Sequence, residues 1–171
     1  FNTAIGFAAL DAATTAASNT AVGSTSLDAV TTGDANTAVG RFSATTITTG
    51  LGNTAIGYQA LDANVSSNYN VAVGFDALSA STVADQVAVG TNALNANTTG
   101  TDNMAFGRSA LEACTTGGDN NAFGRSALGV ITTGSANAAF GHGAIDACVS
   151  GSGNTGMGQN VLTNCTGSNN T

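Results

Sequence analysis

Proline, tryptophan and lysine are absent from this chain, and only 8% of its residues are charged. With 23 glycines among 171 residues, that is far from an ordinary globular mixture. Three arginines and one histidine stand against ten acidic residues, for a net charge of −7. A nucleic-acid groove lined with basic side chains is therefore not available. No apolar run approaches the roughly 18 residues that a membrane-spanning helix needs, so membrane insertion is not expected. A single histidine and no Cys-x-x-Cys pair leave neither a Ser-His-Asp arrangement nor a Cys/His metal site. Disorder does not follow from the low charge, because 42% of the chain is hydrophobic and those residues recur at fixed columns.

The columns belong to an internal repeat. A glycine closing Asn-Thr-Ala-Val-Gly and its variants recurs at Gly6, Gly23, Gly40, Gly57, Gly74, Gly90, Gly107, Gly124, Gly141 and Gly158. The step is 17 residues throughout, except 16 between Gly74 and Gly90. So short a period, with no room for a long helix, marks a stacked array in which each copy packs mainly on its neighbours. Ten rungs at roughly 4.8 Å each would rise about 48 Å. The chain opens at Phe1 with neither an initiator Met nor a signal segment, and Asn170-Thr171 begins a further copy. Residues 1–171 read as one repeat array cut from a longer fibre.

Each column carries an expectation. The residue before the glycine is large and apolar in every copy (Ile56, Val73 and Val89 among them), and so is the residue four after it (Leu61, Leu78, Leu94), with Ala44 the one break. Both are expected to be core. Two before the glycine stands Ala55, Ala72, Ala88, Ala105 and their equivalents, with Gly156 in the last copy. Strand side chains alternate between faces, so this small column opposes the Val/Ile column and is expected to let a second backbone approach about a symmetry axis. Thr-Thr-Gly and an Asn column mark a corner, where Gly and Asn tolerate positive φ and stacked Asn side chains can bond along the rod. The Ala-Leu-Asp-Ala stretch suits a short strand or one helical turn equally.

Candidates for chemistry are few. Cys114, Cys148 and Cys165 share a column with Ala13, Val30, Ile47 and Ile131, and read as small buried apolar residues. Cys148 and Cys165 lie in consecutive copies, within bridging distance but with side-chain directions that suit a disulfide poorly. The column after the glycine holds Arg41, Arg108, Arg125 and His142 beside Phe7, Tyr58 and Phe75, and reads as an exposed rim. Asp85, Asp102 and Asp119 fall in successive copies; they form either a carboxylate ladder for a hard cation or solvated corner residues partly balanced by Arg108 and Arg125. Asp11, Asp28, Asp62, Glu112 and Asp146 share another column, expected as an exposed stripe. Asn64, Asn97, Asn164 and Asn169 open Asn-x-Ser/Thr matches, which chance supplies in so Asn- and Thr-rich a chain. No residue is assigned to catalysis, to a cofactor or to a metal, and the chain is not expected to be an enzyme.

Asn53-Thr54-Ala55-Ile56-Gly57-Tyr58-Gln59-Ala60-Leu61, with Asn97-Thr98-Thr99-Gly100, resembles the repeats of bacteriophage tail fibres and related phage-like surface proteins. The Ala-(Val/Ile)-Gly core is more distantly similar to the shorter repeat of trimeric autotransporter adhesin heads. The resemblance spans the whole chain. It implies an all-β fold, a parallel β-roll or β-solenoid of ten 17-residue repeats, assembled as a homotrimer. The expected function is the structural shaft of a tail fibre or surface adhesin, at the virion or cell surface, holding a receptor- or glycan-binding region outside this sequence. The alternative is a monomeric ice-binding β-solenoid, suggested by repeated Thr and low charge, although Val65-Ser66, Val83 and Val149-Ser150 interrupt its Thr-Thr column. A glycan-binding or glycan-cleaving solenoid would need aromatic platforms or paired carboxylates in a cleft.

Overall fold

A computed structural model describes residues 1–163 and 167–171. It is an all-β parallel β-solenoid, with no helix among the described residues. Each turn contributes one three-residue strand: β1 (Thr3–Ile5), β2 (Thr20–Val22), β3 (Thr37–Val39), β4 (Thr54–Ile56), β5 (Val71–Val73), β6 (Val87–Val89), β7 (Met104–Phe106), β8 (Asn121–Phe123), β9 (Ala138–Phe140) and β10 (Thr155–Met157). They form a single parallel sheet in sequence order, so rung n contains strand βn. Register follows the repeat: Ala38 pairs with Ala55, and the short step is absorbed without a slip because Ala72 pairs with Ala88.

The anchor glycines turn the chain out of each strand with φ near +135°, a region essentially reserved for glycine. They also permit the stacking distance, since a Cβ on Gly90 would lie 2.5 Å from the carbonyl oxygen of Gly107. Beyond the glycine the backbone is neither strand nor helix. It runs through turns in which the second and fourth residues take positive φ, as Asp76 (51°) and Leu78 (54°) do. That conformation costs a non-glycine residue of order 1–2 kcal/mol. Its return is a ladder that continues outside the strands: Leu78 N–H donates to Ala93 O at 3.0 Å, and Ala80 N–H to Asn95 O at 3.3 Å.

The Thr-Thr-Gly corner is a second ladder. The N–H groups of Thr31, Thr32 and Gly33 converge on the carbonyl oxygen of Thr48 at 2.9, 3.2 and 3.3 Å, and the Thr31 hydroxyl donates to it too. A third ladder is internal. Asn120 is fully buried; its N–H and Nδ2 donate to Asn103 Oδ1, Nδ2 reaches Gly134 O, and its Oδ1 accepts from Asn137. A buried carboxamide is stable only when its groups are paired, and this one is. In the 16-residue rung the corner glycine is missing and Gln86 stands in the Asn column. Its longer side chain keeps the ladder closed, with Gln86 N–H on Asn70 Oδ1 and Asn103 N–H on Gln86 Oε1. Two rungs carry a buried Asn in the Cys column, Asn64 and Asn97; Asn64 Nδ2 is the one buried side-chain polar atom without a partner among the described residues.

Leu61, Leu78 and Leu94 are fully buried and fill the interior. The two strand faces, however, are the reverse of the sequence expectation. Ala55, Ala72, Ala88 and Ala105 are also fully buried and point inward, so they do not form an outer axis column. Ile56 is 39% exposed, and Val73 and Val89 are only partly covered, on the outer face. The cause is space. A 17-residue rung with a single short strand encloses a narrow interior already occupied by the Leu, Cys and Asn columns, and only Ala fits opposite them. Rung 10 shows the fit: where Val161 replaces the usual small residue, Gly156 replaces Ala, and a Cβ there would lie 2.7 Å from Ile145 Cγ1 and 3.0 Å from Val161 Cγ2.

Candidate functional site

Because the interior takes the alanines, the large apolar residues of all ten strands are presented outward on one flat face. Its two columns read Thr-x-Val, Thr-x-Ile, Val-x-Val, then Met-x-Phe, Asn-x-Phe and Ala-x-Phe along the rod. Phe106, Phe123 and Phe140 stack on this face with centroids 4.9 Å apart and planes within 7°. Ile5 and Met157 are 60% and 72% exposed at its two ends. With a three-residue strand about 10 Å long and ten rungs at about 4.8 Å, the face covers on the order of 480 Å². One of its two columns is Thr or Asn in six of the ten rungs. The apolar part is therefore the unbroken column before the glycines, widened by Val71, Val87 and Met104 in the middle of the rod. Contiguous apolar surface of this kind commonly marks interaction sites.

The column after the glycine flanks this face. Arg41, Arg108 and Arg125 are exposed there, as expected, and His142 is half-buried. Arg125 Nε donates to His142 Nε2 at 3.0 Å, with Nη2 2.7 Å from the same atom, so that imidazole nitrogen is the acceptor. Tyr58 and Phe75, which look scattered in sequence, stack at 5.2 Å, and Phe42 meets Tyr58 edge-on at 5.9 Å. The Arg41 guanidinium sits 4.2 Å over the Phe42 ring.

On the opposite flank, two residues before the strand, stand Asp85, Asp102 and Asp119, all exposed and all with positive φ. They do not gather around a point, and no group of three or more His, Cys, Asp or Glu side chains suited to a metal occurs among the described residues. The other acidic column is less exposed than the sequence suggests. Asp28 and Asp62 are half-buried, and Thr45 Oγ1 donates to Asp62 Oδ1. Partial burial raises the Asp28 pKa against its own and Ala29 N–H groups, with Asp62 and Asp11 adding to the rise; burial and Asp62 raise that of Asp76.

Cys114 is buried and free, its thiol pushed up to about 11 by burial, with Sγ 3.4 Å from Gly117 O. Cys148 is buried and disulfide-bonded, against the expectation that the geometry suits a bridge poorly. Cys165 and Asn164 lie outside the described residues. Asn64 and Asn97 are interior, so their side chains are not accessible for modification, while Asn169 is exposed. The first hydroxyl of each Thr-Thr pair is spent along the rod, as at Thr98, Thr115 and Thr132, where each donates to a carbonyl of the next rung, while the second, as at Thr99, Thr116 and Thr133, is exposed. No helix among the described residues is long and apolar enough to cross a membrane. The arrangement thus offers a long apolar face with charged and aromatic flanks. Compared with known proteins, the chain matches no family model, no curated protein and no solved structure.

Proposed function

We propose that this chain is the shaft of a homotrimeric fibre of the tail-fibre or surface-adhesin kind, exposed at a virion or cell surface and carrying an attachment region at a distance. The observation that carries the reading is the outer strand face, which keeps a large apolar residue before every anchor glycine although the protomer's own core does not use it. In a monomer ten consecutive Val, Ile, Phe or Met side chains cover one another only in part and leave their outer surface in water; copies packed around a common axis bury it. The three ladders running along the rod supply the stiffness a shaft needs, because separating any two rungs breaks strand, corner and Asn bonds together. The role is mechanical and calls for no cofactor.

The ice-binding alternative is less well supported: the first hydroxyl of each Thr-Thr pair is engaged along the rod, the exposed second column is broken by Ser66, Val83 and Ser150, and the outer face carries Thr-x-Val or Thr-x-Ile in only part of its length. Light scattering on the purified chain after size exclusion tests the proposal. An elongated particle of three times 16.5 kDa is expected. A monodisperse particle of 16.5 kDa at high protein concentration would end this reading.

A further inference from the structure

The outer face has two edges, and in rungs 3, 5, 7 and 8 their chemistry is complementary. Every arginine of the chain lies on the edge after the strand, and each of those rungs carries an aspartate on the edge before it. Rung 7 has Asp102 before Met104–Phe106 and Arg108 after it; rung 8 has Asp119 before Asn121–Phe123 and Arg125 after it. Rung 3 has Asp34, one position earlier in its turn, and Arg41. Rung 5 pairs aromatic with aromatic, Tyr69 at 60% and Phe75 at 50% exposure. Among the described residues none of the three arginines sits against a carboxylate of its own chain; Arg125 turns to His142 and Arg41 to Phe42. The two edges are separated by the strand itself, so the acid and base of one rung cannot reach each other within a protomer.

This rests on the shaft reading, and it specifies how the copies meet. From the edge chemistry we infer that neighbouring copies are joined edge to edge by Asp102 with Arg108, Asp119 with Arg125 and Asp34 with Arg41, one partner from each copy at the same rung. A rotation axis parallel to the rod leaves every rung at its own height and brings the edge after the strand in one copy against the edge before the strand in the next. Acid then meets base at rungs 3, 7 and 8, and ring meets ring at rung 5. A two-fold axis across the rod does the opposite: it reverses the order of rungs and sets like edges together, so no aspartate meets an arginine, and at full overlap Asp34 faces Asp119. The edge charges thereby select the parallel, in-register arrangement and reject the antiparallel one, a repulsive discrimination as well as an attractive one. Asp85, whose rung carries Thr91 on the other edge, takes no part.

Charge exchange tests the pairing. Arg108→Asp with Arg125→Asp makes both edges of rungs 7 and 8 acidic; adding Asp102→Arg with Asp119→Arg exchanges the edges completely. These positions are exposed, and the turn position of the aspartates holds Ser18, Ala35 and Tyr69 in other rungs with the same positive φ, so the fold tolerates the changes. Molar mass against protein concentration is the readout, with circular dichroism to verify the fold. The two-residue variant is expected to need at least about tenfold more protein to assemble than the unaltered chain, and the four-residue variant to recover. An assembled parent whose two-residue variant assembles equally well, or whose four-residue variant does not recover, overturns the pairing and leaves the shaft intact. A parent that is itself monomeric overturns both.

Discussion

Exchanging side-chain size across strand β7 separates the two faces of the rung. Ala105 is fully buried and faces the interior; Phe106, the next residue, faces out and stacks on Phe123. Ala105→Val adds two methyl groups where rung 10 shows that even a Cβ becomes too large once its neighbour grows. Overpacking of that kind costs about 1–3 kcal/mol. At roughly 2–4 °C per kcal/mol for a chain of this size, the unfolding midpoint falls by about 2 to 12 °C. Phe106→Thr leaves the interior untouched and removes one ring stack, worth about 0.5–1.5 kcal/mol. Its larger effect is on association. Thermal unfolding followed by circular dichroism at several protein concentrations distinguishes the two, because only losses at an intermolecular contact change the concentration dependence. Ala105→Val should lower the midpoint by a similar amount at every concentration, and Phe106→Thr should flatten the dependence itself. If Ala105→Val is neutral while Phe106→Thr unfolds the chain independently of concentration, the assignment of faces is wrong.

Other predictions follow from single columns. Leu111→Ala, at a fully buried position, should destabilise by about 2–5 kcal/mol in denaturant titration. Asn120→Leu should cost several kcal/mol, at about 1–3 for each group it orphans, Gly134 O and the Asn137 N–H among them; equal stability would show the ladder to be dispensable. Gly90→Ala should part rungs 6 and 7 and expose the chain there to limited proteolysis, since its Cβ would meet Gly107 O at φ +137°. Cys114, with its raised thiol pKa, should resist alkylation at neutral pH until the chain is unfolded, and prompt labelling would contradict its burial. Because Asp76 has a folded pKa above its unfolded value, its contribution is most favourable below the unfolded pKa and is lost as pH rises through the folded one. Asp76→Asn should therefore raise the melting midpoint at pH 7 and leave it nearly unchanged at pH 3.

The period was the most legible property of this chain. Because each rung is one repeat, a fixed step of 17 residues dictates both the sheet order and the pairing of Ala38 with Ala55. The Leu column was legible for a related reason, as it keeps a large apolar side chain in nearly every copy, and so short a rung has few places to hide one. The strand face was not, because alternation separates Ala72 from Val73 without saying which is inside, and size misleads when the interior is narrow. The turn after the glycine was undecided because its residues sit in alternating positive φ, a state that neither helix nor strand propensity describes. Gln86 carried a signal that went unused: a longer carboxamide at the one rung shortened by a residue. So did the aspartates and arginines six residues apart in rungs 7 and 8, whose meaning depends on the strand between them facing outward.

Both methionines of the chain, Met104 and Met157, lie on the outer strand face, which makes oxidation the most direct test of the account. The native chain is exposed to dilute peroxide at a concentration where it is assembled and again where it is dissociated, and sulfoxide is read by peptide mass. Copies packed through this face predict that Met104, 37% exposed in the protomer, is protected in the assembly and oxidised once it dissociates. Oxidation of Met104 at the same rate in both states would mean that the face stays in water, and the shaft built on it would have to be abandoned.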